Sequence, residues 1–183
     1  MSDQVLITQC APTLAGFKTG SLFTCPYTDR RQLARDLRRL NRMLRSRGLR
    51  VIPLLHSQHR ALIYVYRPKE LAADLSGEVP RQILQQAGYE SITANRCVLE
   101  LIRRLSLRED FPHEIGLFLG YPPEDVQGFI ENKGAGYKCV GCWKVYGDEQ
   151  AARETFDRYR RCTDALCSRW KSGVRMEQLV AAV

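Results

Sequence analysis

Two parts of the sequence carry side chains that could form a nucleophilic active site. The stretch CAPTLAGFKTGS contains Cys10 and Lys18. Its polar residues could bind an anion through an ammonium group, hydroxyls and backbone that approaches the anion closely. The P-loop pattern is absent. Cys10 could act as a nucleophile if His113 were its base and Glu114 oriented that base. Two alternatives remain open: a Cys-dependent enzyme acting on a small anionic substrate, or a loop entering a strand and a glutamate capping a helix.

A pair of cysteines has the spacing of a metal site. In CVGC, Cys139 and Cys142 stand three residues apart, which suits two thiolate ligands of one tetrahedral zinc ion. Cys162 and Cys167 are five apart on a predicted helix, so their sulfurs do not project to one point. The two histidines of the HSQH turn could replace them as ligands. The alternative is that these thiols are packed in a strand and a helix as small apolar groups.

Arginines are concentrated in one segment. Between Asp29 and Arg50 there are nine arginines and two aspartates, so this segment holds +7 of the net charge of +8. The sequence predicts a helix here, with four leucines on one face and five arginines on the other. These are Leu33, Leu37, Leu40 and Leu44, and Arg31, Arg35, Arg38, Arg42 and Arg45. Such a face could bind an acidic protein, a nucleic acid or an anionic membrane, or could simply be solvated.

The stretch HEIGLFLGYPPEDVQGFIEN has the residue spacing of a helix-turn-helix motif. The residues that would face a DNA groove are Glu124, Asp125, Gln127 and Gly128. Carboxylates at the leading end of a recognition helix repel phosphates, but they suit the positive end of a helix dipole. The sequence therefore favours a packed helical corner here, and nucleic-acid binding is the less favoured alternative.

Periodicity predicts an α+β fold. We expect a mainly antiparallel sheet of about four strands packed with helices, in a single domain over residues 1–183, with a helical insertion at about 68–132 between the third and fourth strands. The predicted strands are Lys18–Thr24, Arg50–Leu55, Arg60–Arg67 and Tyr137–Tyr146, and a final amphipathic helix covers Asp148 to about Trp170.

Composition narrows the class of protein. Hydrophobic residues make up 44% and charged residues 26%, which is typical of a globular chain. There is no apolar run long enough to cross a membrane and no signal-peptide pattern, so we expect a cytoplasmic protein without a transmembrane segment. Seven cysteines, an odd number, favour reduced thiols over a disulfide framework.

Several blocks together resemble a known family. CAPTLAGFKTGSLF, LRRLNRMLRSRGLRVIPLL, ALIYVYRP, FPHEIGLFLGYPPEDVQGFIENKG and CVGCWKVYGDEQAARETFDRYRRC are similar to a domain-of-unknown-function family (DUF3793) of anaerobic Gram-positive bacteria. The resemblance spans nearly the whole chain and brings no catalytic residues. It implies a single-domain protein in an iron- or redox-linked setting near flavodoxins, and a tyrosine at the position of Cys142 in many relatives, which weakens the zinc interpretation.

These observations predict a non-catalytic binding protein. The arginine-faced helix is expected to dock an acidic partner, with a flavodoxin-type redox protein ahead of nucleic acid. The alternatives are a Cys-dependent enzyme, a metal- or haem-binding protein and a nucleic-acid-binding protein. The sequence specifies no cofactor.

Overall fold

The computed structural model describes residues 2–91, 93–107 and 111–181, which form two compact units. The first unit contains the chain up to Lys69 and from Arg161 onward, and the second contains Glu70–Arg160. The predicted single domain over residues 1–183 stays a prediction.

The first unit is built on a three-stranded antiparallel sheet. Its strand order is β1-β3-β2, with β3 paired on both edges and a register irregularity in β2 between Pro53 and Leu55. Proline cannot donate to a sheet ladder, so an edge strand with a bulge is where it is tolerated. The elements are α1 (Asp3–Leu14), β1 (Gly20–Pro26), α2 (Arg30–Leu44), a 3-10 turn (Arg45–Arg47), β2 (Arg50–Ser57), β3 (Arg60–Tyr66), the last turns of α8 (Glu149–Lys171) and α9 (Met176–Leu179).

Helix α2 begins and ends where the sequence predicts. The Asp29 carboxylate accepts a hydrogen bond from the Arg31 backbone N–H at 2.7 Å, which satisfies one of the unpaired donors of the first turn. After the 3-10 turn, Gly48 has a φ of 73°, a left-handed conformation that glycine adopts without a steric penalty. The four leucines of the apolar face are buried in the core of the unit.

That core lies between α1, the leucine face of α2, one face of the sheet and the end of α8. It includes Leu6, Cys10, Leu14, Phe23, Leu40, Leu44, Ile63, Val65, Cys162, Leu166 and Met176. Helix α1 was not predicted from the sequence. It places Cys10 inside this core, in a helix and not in a loop.

A buried guanidinium ties the ends of several segments together. Arg67, which directly follows β3, is 2% exposed. It donates to the carbonyl oxygens of Thr13 (2.9 Å), Leu14 (2.9 Å), Arg47 (3.1 Å) and Ala181 (3.1 Å). Thr13 and Leu14 end α1, where backbone carbonyls lack helical partners and the helix dipole favours a cation. A single side chain therefore caps α1 and holds the 3-10 turn and the C-terminal segment.

The second unit is mainly helical and contains a small hairpin. Its elements are the end of α3 (Pro68–Asp74), α4 (Glu78–Gln86), α5 (Ala94–Leu107), α6 (Ile115–Phe118), α7 (Pro123–Glu131), β4 (Cys139–Val140), β5 (Lys144–Val145) and the first turns of α8. The predicted α+β class, with an antiparallel sheet and helices between the third and fourth strands, is confirmed.

The sheet is smaller than predicted. Tyr137–Tyr146 was expected to be the fourth strand of the main sheet, and this is wrong: the segment folds back on itself as β4 and β5. The turn is closed by a hydrogen bond from Gly141 N–H to the Trp143 carbonyl at 3.0 Å. A Cβ at Gly141 would lie 2.4 Å from the Phe156 ring, so only glycine allows this close approach.

Candidate functional site

The arginine face of α2 is exposed; it consists of Arg31, Arg35, Arg38 and Arg42 on the helix and Arg45 in the 3-10 turn that follows it. The buried leucines fix the rotation of the helix about its axis, so these five side chains must point to solvent. At a rise of 1.5 Å per residue the face extends over about 21 Å. The sequence prediction of one charged face opposite one apolar face is thus met in the geometry of the helix.

Most of these arginines have no acidic partner among the residues that the structure describes. Arg35 lies 3.7 Å from the exposed Asp29 carboxylate and donates to the Gln32 side-chain oxygen. In the part of the chain that the structure describes, the other four have no carboxylate within ion-pair distance. Arg39, beside the face, is paired with Asp3 at 2.6 Å. The face therefore keeps most of its charge available for another molecule.

A groove of about 840 Å³ runs beside this face. Its lining consists of six arginines, one aspartate, Gln32 and Asn41, with no aromatic side chain. The sixth arginine, Arg50, comes from β2. Asn41 fixes that strand to α2, because its side chain accepts from Val51 N–H at 2.9 Å and donates to Val51 O at 2.6 Å.

Arg50 was not among the predicted partner-binding residues. The spacing of residues within one helix could not reveal it, because its position depends on strand pairing. The polar Asn41 on an otherwise apolar flank of the helix is the local signal of that contact.

Cys10 is unsuited to nucleophilic chemistry. Its side chain is completely buried, and burial raises the pKa of the thiol to about 12, against the opposing effects of Lys18 and a hydrogen bond with Ser21. The thiolate is the reactive form of cysteine, so this group is protonated at neutral pH. The Ser21 hydroxyl also lies 2.8 Å from the Thr13 hydroxyl and is buried. Cys10, Thr13 and Ser21 are therefore buried inside the first unit and do not line an open site.

The proposed base and its orienting residue do not act together. His113 is exposed and its ring packs edge-on against Phe129 with centroids 5.0 Å apart. Glu114 is buried; it accepts a hydrogen bond from the Tyr89 hydroxyl at 3.2 Å and lies 3.8 Å from an Arg104 nitrogen. The suggested capping role of Glu114 is also not seen, because its side chain makes no cap hydrogen bond to α6. His113 and Glu114 belong to the second unit, and Cys10 and Lys18 to the first.

The cysteines of the CVGC stretch lie at the hairpin. Cys139 is half-buried in β4 and Cys142 is exposed in the turn. Within residues 2–91, 93–107 and 111–181, no group of three or more histidine, cysteine, aspartate or glutamate side chains is placed to hold a metal ion. Cys162 and Cys167 pack in or against the core of the first unit.

The second unit also contains a pocket that the sequence analysis did not predict. It is lined by aromatic residues, chiefly Tyr121, Phe129 and Trp143, and has a volume of about 350 Å³. One wall is fixed by Asp125, a buried carboxylate in the first turn of α7. Asp125 accepts hydrogen bonds from the Trp143 indole N–H (2.6 Å) and from the backbone N–H groups of Tyr146 (2.7 Å) and Gly147 (2.7 Å).

Asp125 therefore does not face outward as the residue of a recognition helix would. Gly128, one turn further along α7, packs on Tyr146 so closely that a Cβ would lie 2.5 Å from its ring. Of the four residues that a helix-turn-helix protein would present to DNA, Asp125 and Gly128 are thus packed against the hairpin segment, while Glu124 and Gln127 are exposed. The packed-corner interpretation of this stretch agrees with that geometry.

The burial of Cys10 should protect its thiol from alkylation. Under native conditions at neutral pH, we expect iodoacetamide to modify Cys142 readily and to leave Cys10 unmodified until the protein is unfolded, because the Cys10 thiol is both inaccessible and protonated. Peptide mass spectrometry after timed labelling measures this. Labelling of Cys10 at a rate similar to that of Cys142 would contradict the structure and revive the nucleophile hypothesis.

The fold and the arginine face define an α+β protein with one strongly basic helix surface. Residues 6–180 match the model of the family described as "Protein of unknown function (DUF3793)", so the chain belongs to that family. No curated protein and no solved structure matches it significantly. Among the described residues, no helix combines the length and the apolar composition that crossing a membrane requires.

Proposed function

We propose that this protein is a non-catalytic binding protein whose arginine face docks an acidic protein. The observation that carries the proposal is a row of exposed guanidiniums, most of them without an acidic partner in the described chain, on a helix held rigidly by four buried leucines. Guanidinium groups bind carboxylates through two parallel N–H donors, and they keep their charge at every physiological pH.

The shape of the surface supports a protein partner. A straight row of about 21 Å, with an adjoining groove, suits a ridge or loop that carries several carboxylates. Six arginines against one aspartate in the groove give strong electrostatic attraction, which raises association rates and selects acidic partners. The iron- and redox-linked setting implied by the family resemblance makes a flavodoxin-type protein the first partner to test.

Nucleic acid is the second candidate. The same guanidiniums could contact phosphates, but single-stranded nucleic acid is normally held by aromatic stacking as well as charge. No aromatic side chain lines the arginine groove in the described part of the chain. This absence favours the protein partner.

The cytoplasm is the compartment we propose. All seven cysteines are outside disulfides. Reduced thiols of this number are typical of a reducing compartment, where an acidic redox protein would also be present.

Replacing Arg35, Arg38 and Arg42 together by alanine tests the proposal. Exposed ion pairs contribute roughly 0.2–1 kcal/mol each, so the loss of three should raise the Kd for a purified flavodoxin about 3- to 150-fold. Isothermal titration calorimetry at low salt measures it, with single-stranded RNA as a second ligand. The side chains are exposed, so the fold should be retained.

A matched control is available on another helix. Arg153, Arg160 and Arg169 are exposed on α8, and their replacement by alanine removes the same amount of charge. This control should leave the flavodoxin affinity nearly unchanged. Equal weakening by both triple variants would mean that net charge, not the α2 face, governs binding. Tight binding of RNA without binding of flavodoxin would replace the proposal by the nucleic-acid alternative.

A further inference from the structure

We infer that the aromatic pocket of the second unit is a binding site for a small aromatic molecule that carries a carboxylate or similar anionic group. The inference does not depend on the proposed docking function. A volume of about 350 Å³ is within the range of small-molecule sites in proteins. The lining is predominantly aromatic and aliphatic, with a few polar groups, as is usual for such sites.

The aromatic walls are held in fixed positions. The Trp143 ring stacks on Tyr121 with centroids 4.9 Å apart and meets Phe156 edge-on at 4.5 Å. Its indole N–H is bound by Asp125, and the Tyr121 hydroxyl donates to the Cys142 carbonyl at 3.1 Å. Rigid aromatic surfaces bind planar apolar groups with little loss of conformational entropy.

The charge in the pocket favours an anion. Lys144 lines it. Its ammonium lies 4.8 Å from the centroid of the Tyr137 ring and donates one hydrogen bond, to the Gly134 carbonyl at 2.7 Å, so it keeps N–H donors for an anion. No carboxylate lies within ion-pair distance of this ammonium among the residues that the structure describes. Asp125 also lines the pocket, but its two oxygens already accept three N–H donors. The carboxylate is therefore satisfied within the wall and the ammonium is not.

The His113 imidazole is a second nitrogen group that lines the pocket, near Lys144 and Phe129. The Lys144 ammonium is 5.6 Å from the centroid of the Phe129 ring, and the His113 imidazole packs 5.0 Å from that centroid. Phe129 is thus flanked by an ammonium and an imidazole, while Tyr121 and Trp143 form the apolar part of the lining. A ligand with an aromatic ring and one anionic group matches both features.

Two probes with the same aromatic ring distinguish the contribution of charge to binding from that of apolar contact. Phenylpropionate carries the carboxylate and phenylpropanol is its neutral counterpart. The carboxylate can accept a charge-assisted hydrogen bond from Lys144, so we expect phenylpropionate to bind at least about tenfold more tightly. Calorimetry on the full chain gives the two affinities. In a Trp170→Phe variant, where Trp143 is the remaining tryptophan, phenylpropionate should change the fluorescence saturably with the same Kd.

Variants of Lys144 test the assignment of the anionic end. Lys144→Gln should lower the affinity for phenylpropionate about tenfold. Its affinity for phenylpropanol should be unchanged, which would show that the pocket still folds. Lys144→Arg should keep most of the affinity for phenylpropionate. The matched control is Lys138→Gln. Lys138 also donates to a glycine carbonyl, that of Gly147 at 2.6 Å, but it does not line the pocket.

Three results would overturn the inference. They are the absence of saturable binding by phenylpropionate, equal or tighter binding of phenylpropanol, and an unchanged phenylpropionate affinity in Lys144→Gln. The second result would indicate that the pocket accepts an apolar side chain of another protein instead of an anion.

Discussion

Replacement of Arg67 by methionine is expected to lower the free energy of unfolding by about 2–5 kcal/mol, because buried carbonyl oxygens lose a charged donor. Methionine fills a similar volume but donates no hydrogen bonds. Four carbonyl oxygens then lose a donor. Those of Thr13 and Leu14 keep the backbone N–H groups of Gly16 (3.3 Å) and Ala181 (3.0 Å), so the full loss falls on Arg47 and Ala181. Leaving buried acceptors without partners costs about 1–3 kcal/mol each, reduced where water can enter.

Urea denaturation followed by circular dichroism measures the loss, and hydrogen exchange locates it. Exchange should speed up most in α1 and in the C-terminal segment near Ala181, which Arg67 holds. Arg60→Met at the exposed opposite end of β3 is the control and should cost less than about 1 kcal/mol. Arg67→Lys should be intermediate, since it keeps the charge but not the planar fork. A loss for Arg67→Met no larger than for Arg60→Met would contradict this account.

Replacement of Asp125 by asparagine is expected to cost about 2–4 kcal/mol although the two side chains have nearly the same shape. The carboxylate accepts from Trp143, Tyr146 and Gly147, whereas an amide that keeps the two backbone donors must point its NH₂ group at the Trp143 N–H. Two donors then face each other in a buried position. Hydrogen bonds to charged groups are worth about 1.5–3 kcal/mol, and one is replaced by a repulsive contact.

The fluorescence of Trp143 should report this change directly. In the Trp170→Phe background we expect a red-shifted emission for Asp125→Asn, as the indole loses its fixed and buried position, together with lower stability in urea. Glu124→Gln, the exposed neighbour in the same helical turn, changes the same charge near the helix N-terminus and should leave both signals nearly unchanged. Unaltered emission and stability in Asp125→Asn would show that the carboxylate does not hold the pocket wall.

Local features of the sequence were sufficient to predict helix α2. The leucine spacing, the Asp29 cap and Gly48 all act within a few residues of one another, so their effects can be worked out without knowledge of the fold. The arginine face follows from the same periodicity. Arg50 does not, because it reaches the groove through strand β2 and the Asn41 contact.

The hairpin and the pocket depend on contacts between distant residues. The alternating pattern of Tyr137–Tyr146 is typical of a strand, and the close packing of Gly141 on Phe156 that turns the chain back is invisible to periodicity. Asp125 and Trp143 are 18 residues apart, so the sequence identified the aspartate only as a favourable helix starter. Lys144 was likewise given no role.

We propose that charge on the arginine face drives docking, and the salt dependence of the flavodoxin Kd tests this proposal. We expect Kd to rise steeply with sodium chloride for the wild type, much less steeply for the Arg35, Arg38 and Arg42 triple alanine variant, and as in the wild type for the α8 control variant. The same salt dependence in all three proteins, or wild-type binding that does not respond to salt, would contradict it.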